Sequence, residues 1–512
     1  MLAQGGNACD AAIAVAATLA VVEPYSSGLG GGGFFLLHRA ADRREVMIDA
    51  RETAPSGIRR DHFLDAEGRP IKDATTRGGT AAAIPGLPAG LEHLAQYCGT
   101  LPLAQTLAPA MRLARDGFAV DGRYARIAQA RETLLRGTAG TARFLDNGRA
   151  PAPGFVLRQP DLAATLQRLA HDGAAAGFYR GPVAQALVDT VNAAGGAWQL
   201  ADLAAYRVVE REPVRFNYRG ATITAAALPS AGGIALAQVL GMLEHFPQAA
   251  VHDPEMAHLV AEALRRAFHD RAQLGDPDQV AVPVAGLLNK DRLRQHAMEM
   301  RRDRAMPLTP PLTPVGGGST NTTHFSIIDQ TGNRVAATLT INLLFGAGLV
   351  GRGTGVLLNN EMDDFTLRAD FANSFRLRGG AANGIAPGKR PLSSMTPAFV
   401  EDAKGVLALG APGGSRIISQ VLLVALEYLR RPDVDLRALV AMPRYHHQYW
   451  PDRIEIEPEG FTAAWRAAME NKGHRLHVVN RKWGNLQAVF RASVTGAAQA
   501  ASDPRGSDVG WY

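Results

Sequence analysis

The stretch TTHFSIIDQTGNRVAATLTIN, residues 322–342, decides how this chain folds. Two β-rich runs, 322–329 and 334–342, flank Gln330-Thr331-Gly332-Asn333, residue types that supply the backbone conformations a tight turn needs. The segment therefore reads as a β-hairpin. Side chains alternate between the two faces of a strand, so Val335, Ala337, Leu339 and Ile341 share one face, while Thr338, Thr340 and Asn342 share the other. The first strand likewise groups Thr322, His324 and Ser326. One face suits a core, and the opposite, polar face has the composition of a site. Directly upstream, residues 306–320 read MPLTPPLTPVGGGST, rich in Pro, Gly and Thr with no periodic apolar pattern, which is the composition of an exposed loop or linker.

Working outward, residues up to roughly 100 combine an Ala-rich apolar run (11–22), a glycine loop (28–33) and a strand, Phe34-Phe35-Leu36-Leu37-His38. The apolar run is too short to span a bilayer and lacks a basic segment before it, so it reads as a buried core helix. Residues from roughly 100 to 300 read mainly as helices, as in 182–192 and 256–274. Beyond the hairpin, Gly405-Val406-Leu407-Ala408-Leu409 reads as a strand. The turn Gly410-Ala411-Pro412-Gly413-Gly414 follows, then a helix through Leu422, Val424, Leu426 and Leu429 with Ser415 as its expected cap. Free N–H groups and the positive end of the helix dipole at such a turn would stabilise an oxyanion or carboxylate.

Composition narrows the function classes. Hydrophobic residues at 46% and charged residues at 20% are those of an ordinary globular chain. The net charge of +6 comes from 54 basic against 48 acidic residues, and the basic ones are dispersed, so no nucleic-acid partner is expected. Cys9 and Cys98 are the only cysteines, which leaves no zinc spacing; they read as two free thiols, with a single bridge as the alternative. Gly28-Leu29-Gly30-Gly31-Gly32-Gly33 formally satisfies GxGxxG, but the order is helix, glycines, strand, the reverse of a dinucleotide site. His446 and His447 point apart on a strand with no third ligand evident. Neither metal nor cofactor is expected.

At this point nine pieces in order, GGNACDAA (5–12), SGLGGGGFFL (27–36), IDARETAP (48–55), LGDPD (274–278), TTHFSIID (322–329), LLNNEMDDF (357–365), RPLSSMTP (390–397), GAPGGSRI (410–417) and PRYHHQ (443–448), resemble the γ-glutamyltranspeptidase (γ-glutamyltransferase) family. The resemblance implies an N-terminal-nucleophile hydrolase: an α+β, four-layer αββα sandwich made as a precursor that cuts its own chain. Here the bond would be Asn321–Thr322, giving a large subunit, 1–321, and a small one, 322–512, of 191 residues, which remain associated as one body. Family members usually carry a further strand and helix, and often a signal peptide, before the first motif. This chain opens almost on that motif, so the resemblance implies a periplasmic or secreted enzyme while no signal peptide is read here.

The chemistry follows from residue types. A threonine hydroxyl needs a base, and cleavage before Thr322 would free an α-amine with a reference pKa of roughly 7.7–8.0. By resemblance, Thr340 assists Thr322, and the backbone N–H groups of Gly413 and Gly414 form an oxyanion hole. Arg51 suits an α-carboxylate through its bidentate fork, with Ser393 and Ser394 as further contacts; Asn342, Glu361 and Asp364 resemble the group that holds an α-ammonium. Residues 366–380 are loop-like and match a lid, with Phe375 as its aromatic cover. The implied reaction moves a γ-glutamyl group from glutathione-like donors to water or to an amino-acid or peptide amine. The alternatives are an acylase of the same fold acting on a glutaryl-type amide, and a binding protein that never matures.

Overall fold

The computed structural model describes residues 1–307, 322–506 and 510. Asn321 and most of the 306–320 segment lie outside the described residues. The hairpin is present: strand Thr323–Ile328 pairs antiparallel with Arg334–Thr340, Thr323 opposite Leu339 and Ile328 opposite Arg334. It forms one side of a five-stranded antiparallel sheet, ordered Val209–Arg211, Arg44–Ala50, Gly32–Arg39, Arg334–Thr340, Thr323–Ile328. A second antiparallel sheet runs in the order Ala498–Ser502, Gln487–Ala492, Gly405–Gly410, Ala398–Glu401, Ala221–Ala225, Val214–Tyr218.

The period-2 alternation of the first sheet shows how the layers stack. Phe35, Leu37, Ile48, Val335, Ala337 and Leu339 join a buried cluster with helices Ala8–Val22, Leu87–Tyr97, Pro160–Gly177 and Gly181–Ala193. Their neighbours Phe34, Leu36, Met47 and Ala336 turn the other way, into a cluster shared with the second sheet and with helices Gly232–Leu243, Pro254–Asp270 and Arg416–Arg430. The result is helix, sheet, sheet, helix: the expected αββα sandwich. The Ala-rich run becomes helix Ala8–Val22, closed at its start by reciprocal Asn7–Asp10 bonds and tied to the hairpin by Ala8 N–H donating to Asp329 Oδ2 at 3.1 Å. Among the described residues no helix is long and apolar enough to cross a membrane.

Three sequence expectations need correction. Cys9 and Cys98 are not free thiols; they form a disulfide, with Cα atoms 5.9 Å apart. They lie 89 positions apart in the sequence, so nothing local marks the pair, and their encounter is set by helix Ala8–Val22 packing beside the end of Leu87–Tyr97. The mainly helical reading of 100–300 missed Val209–Arg211, Val214–Tyr218 and Ala221–Ala225, strands of three, five and five residues, lengths at which an alternating pattern hardly stands out. Ser415 precedes helix Arg416–Arg430 but does not cap it with its side chain, because its backbone is already helical, with φ of −57° and ψ of −29°, where a capping residue is extended; its hydroxyl donates instead to Gln448 Oε1 at 2.5 Å.

The polar hairpin face lies between the sheets, away from open solvent. Thr338, Thr340, Asn342 and His324 are all buried. His324 Nδ1 bonds Thr338 Oγ1 at 2.8 Å and its Nε2 bonds Ser326 Oγ at 3.0 Å; burial pulls its pKa down to about 3 and keeps the ring neutral. Gly410 of the facing sheet lies against this ring, and a Cβ there would sit 2.2 Å from His324 Cε1. Gly410→Ala should therefore lower stability by about 1–3 kcal/mol, the usual cost of overpacking, measured as a fall in Tm; an unchanged Tm would contradict this packing.

Candidate active site

The hairpin register puts Thr322, one residue before the first paired position, level with Thr340, because Thr323 already faces Leu339. Both residues line one narrow cavity between the sheets, together with Arg51, Asn342, Glu361, Asp364, Phe375, Ser393, Ser394 and Gly414. Gly413 adjoins it through the same turn. The sequence-derived residues thus come from six separate chain segments to a single place, apart from Asn321, which lies outside the described residues.

The electrostatic centre is Arg51, 1% exposed at the end of strand Arg44–Ala50. Its Nη1 bonds Glu361 Oε1, its Nη2 bonds Asp364 Oδ2 at 2.6 Å, and Glu52 Oε2 lies 3.6 Å from Nη1. The ion cluster is thus assembled before any substrate arrives. Burial opposes the charge on Arg51, but Glu361, Glu52 and Asp364 outweigh it and hold the guanidinium protonated. The acids bear the cost. Burial pushes Glu52 up to about 7 against the pull of Arg51, and raises Glu361 well above the carboxylate range. Asp363 next to them, donated to by Thr75 Oγ1 at 2.8 Å, is pushed up to about 6 by burial and by Asp364.

Asn342 sits immediately after the hairpin with φ of +70°, and its N–H donates to Thr340 Oγ1 at 2.8 Å. Its amide donates to Asn360 O at 2.8 Å, while Oδ1 has no hydrogen-bond partner among the described residues. Glu361 Oε2 is in the same position. Two buried oxygens lining one cavity thus lack partners, and a cation placed beside them would draw Glu361 back to the carboxylate form that burial disfavours.

Sequence reasoning missed Arg271. It follows helix Pro254–Asp270, lines the cavity, and is buried. Its Nη2 donates to Ser394 Oγ at 3.4 Å, and its Nε finds no acceptor among the described residues. Burial lowers its pKa to about 10, only partly offset by Asp364 and reinforced by Arg51. In the sequence it follows several other charged residues on the helix, with nothing to separate it from a surface arginine. The cavity therefore carries a cation short of acceptors beside two serines, and acceptors short of donors beside Thr322 and Thr340.

The turn after strand Gly405–Gly410 completes the wall. Gly413 and Gly414 have φ of +135° and +59°, values that L side chains rarely adopt. Gly413 O and Gly414 O accept from Arg416 and Ile417 N–H at 3.2 and 3.1 Å, opening the helix, whereas no acceptor among the described residues takes their own N–H groups. Phe375 packs directly on this turn: a Cβ at Gly414 would lie 2.4 Å from the Phe375 ring. His446 and His447 lie elsewhere, His446 bonded to Ser419 and Gln448, His447 to Asp452.

Residues 1–511 match the family described as Gamma-glutamyltranspeptidase. The chain belongs to that family. It is 40% identical over 522 residues to a glutathione hydrolase proenzyme of Pseudomonas aeruginosa, covering all of this chain and 91% of that one. It is 38% identical to the glutathione hydrolase proenzyme of Escherichia coli, covering 99% and 88%. Among solved structures, the cephalosporin acylase of Bacillus halodurans superposes with a TM-score of 0.86 at 27% identity, covering 100% of this chain and 92% of that one.

For this family member, the raised acids have a pH consequence. A carboxyl whose folded pKa exceeds its unfolded value gains a proton on folding, so stability falls as pH rises between the two values. Glu52, at about 7 when folded, should make the protein less stable at pH 8 than at pH 5. Glu52→Gln should shrink that difference in Tm; an equal or larger difference in the variant would contradict the assignment.

Proposed function

We propose that the chain is the precursor of a two-subunit γ-glutamyl-transfer enzyme, with residues 1–321 and 322–512 as the subunits and Thr322 as the nucleophile released at a new N-terminus. The freed α-amine of Thr322 would take the proton from its own hydroxyl, since an amine with a reference pKa of roughly 7.7–8.0 is partly neutral near pH 7. The hydroxyl oxygen then attacks the γ-carbonyl carbon. Charge gathers on the carbonyl oxygen, for which the Gly413 and Gly414 N–H groups are the fitting donors. Collapse expels the leaving amine and leaves an ester on Thr322, and water or an amine acceptor releases the γ-glutamyl group. Thr340 orients the reacting hydroxyl. The proenzyme names of the relatives support the precursor reading.

The observation that carries this reading is the polar imbalance of the cavity. Asn342 Oδ1 and Glu361 Oε2 await a donor, as an α-ammonium would be. Arg271, with Ser393 and Ser394 beside it, awaits an acceptor, as an α-carboxylate would be. Arg51 holds Glu361 and Asp364 in place, so its part in carboxylate binding is shared with Arg271. A zwitterionic glutamyl head matches both ends at once. The second reading, an acylase of glutaryl-type amides, is favoured by the similarity to the cephalosporin acylase, but a glutaryl group lacks the ammonium and leaves both acceptors buried and unpaired.

A pair of donors decides between them: a γ-glutamyl anilide, and the glutaryl anilide that differs only by the missing α-amino group. We expect kcat/KM to favour the glutamyl donor by about 100-fold or more, since each of the two hydrogen bonds to the charged ammonium contributes roughly 1.5–3 kcal/mol. Equal rates, or preference for the glutaryl donor, would give the acylase reading the better claim. Arg271→Ala should raise KM for the glutamyl donor about 10-fold or more, and an unchanged KM would remove Arg271 from the carboxylate end.

A further inference from the structure

The loop that covers the cavity is held by a residue outside it. Asn373 fastens the loop on the site side: its Nδ2 donates to Asp364 Oδ1 at 3.1 Å and its Oδ1 accepts from Phe375 and Leu377 N–H at 3.0 and 3.1 Å. On the other side lies Gln448, two residues past strand Tyr445–His446. Its Nε2 reaches Phe375 O at 3.1 Å, Arg376 O at 3.2 Å and Trp450 O at 2.9 Å. Its Oε1 accepts from Ser415 Oγ at 2.5 Å and from His446 Nε2 at 2.8 Å. His446 must therefore carry its proton on Nε2, which leaves Nδ1 to accept from Ser419 Oγ at 2.8 Å. One amide thus joins two carbonyls of the cover to the residue that follows Gly413-Gly414.

We propose that Gln448 is a positioning residue that latches the Phe375–Arg376 cover onto the start of helix Arg416–Arg430, and so governs access to the acyl group on Thr322. The reading rests on the function proposed above. Every donor and acceptor of the Gln448 amide is used, so its orientation is determined by its partners. Phe375 lies against Gly414 with no room for a Cβ between them, so the latch sets the position of the ring relative to the glycine turn. Arg376, at φ of +61°, holds a conformation that few non-glycine residues adopt without external restraint. Its side chain adds an ion pair to Glu455 at 3.3 Å, and Glu455 also pairs with Arg416 at 2.5 Å, a second link between cover and helix. With the latch released, a bound donor would be less enclosed, and the ester on Thr322 would open more to a bulky amine acceptor than to water, which passes a closed cover more readily.

The test uses Gln448→Glu, which keeps the shape and the acceptor toward Ser415 and His446 but turns the donor toward Phe375 O and Arg376 O into a repelling oxygen. In the mature enzyme, KM for a γ-glutamyl anilide should rise about 5- to 20-fold with kcat changed less than about 3-fold, and the ratio of transfer to hydrolysis with a dipeptide acceptor should change at least 2-fold. Hydrogen exchange of the amides at 374–380 should accelerate about 10-fold or more, with exchange in the hairpin strands unchanged. Exchange is measured in parallel on Thr322→Ala and on Thr322→Ala with Gln448→Glu, so the latch can be read even where the Glu variant does not mature. Unchanged exchange at 374–380 overturns the latch. Accelerated exchange with KM and partition both unchanged overturns its role in access. If wild type fails to turn over the γ-glutamyl anilide, the functional reading fails separately, and the exchange result still decides the latch.

Discussion

The burial of one guanidinium sets the terms for the rest of the site. Arg51 has almost no contact with solvent and is balanced by carboxylates from its own strand end and from the short helical turn Glu361–Asp364. Breaking a buried ion pair by removing one partner typically costs about 3–5 kcal/mol, because the remaining charge is stranded. Glu361 and Asp364 are therefore fixed in position by Arg51, and Glu361 is left with one oxygen bound and the other unused. The unused oxygen, with Asn342 Oδ1, makes one end of the cavity hungry for a donor. The ion cluster spends little of its charge on solvent and keeps these two oxygens aimed into the cavity.

The sandwich explains how such a cluster can exist. A single sheet with one wet face would leave Thr338, Thr340 and His324 in water, where their hydrogen bonds contribute little net stability. The second sheet closes over them, at the closest point through a glycine, and turns the polar hairpin face into an interior wall. The same closure brings the Gly413-Gly414 turn, at the end of the facing strand, to the level of Thr322. Thr322 and the glycine turn belong to opposite sheets, so the distance between them is set by the packing of the two layers.

Much of this was legible in the sequence, for identifiable reasons. The hairpin was read from strand alternation and a four-residue turn, and its register follows once both are placed. The glycine turn was read from a strand, a break and a helix in order. The positions of Arg51, Asn342, Glu361, Asp364, Ser393 and Ser394 came from motif resemblance, and all line the cavity. Arg271 was not legible because what sets it apart is its place in the cavity wall beside Ser394, which exists only after folding. The Cys9–Cys98 bridge was misread for a similar reason, since the packing of two helices brings the pair together. The three strands within 209–225 escaped because runs of three to five residues are too short for their alternation to stand out.

The central claim is that Thr322 becomes a chain terminus and that the cavity is built around it. Intact mass of the purified wild-type protein tests this most directly. The account predicts two fragments, the lighter a 191-residue chain beginning at Thr322, and a single uncut chain for Thr322→Ala. A wild-type protein that turns over a γ-glutamyl donor while running as one chain of 512 residues would contradict it.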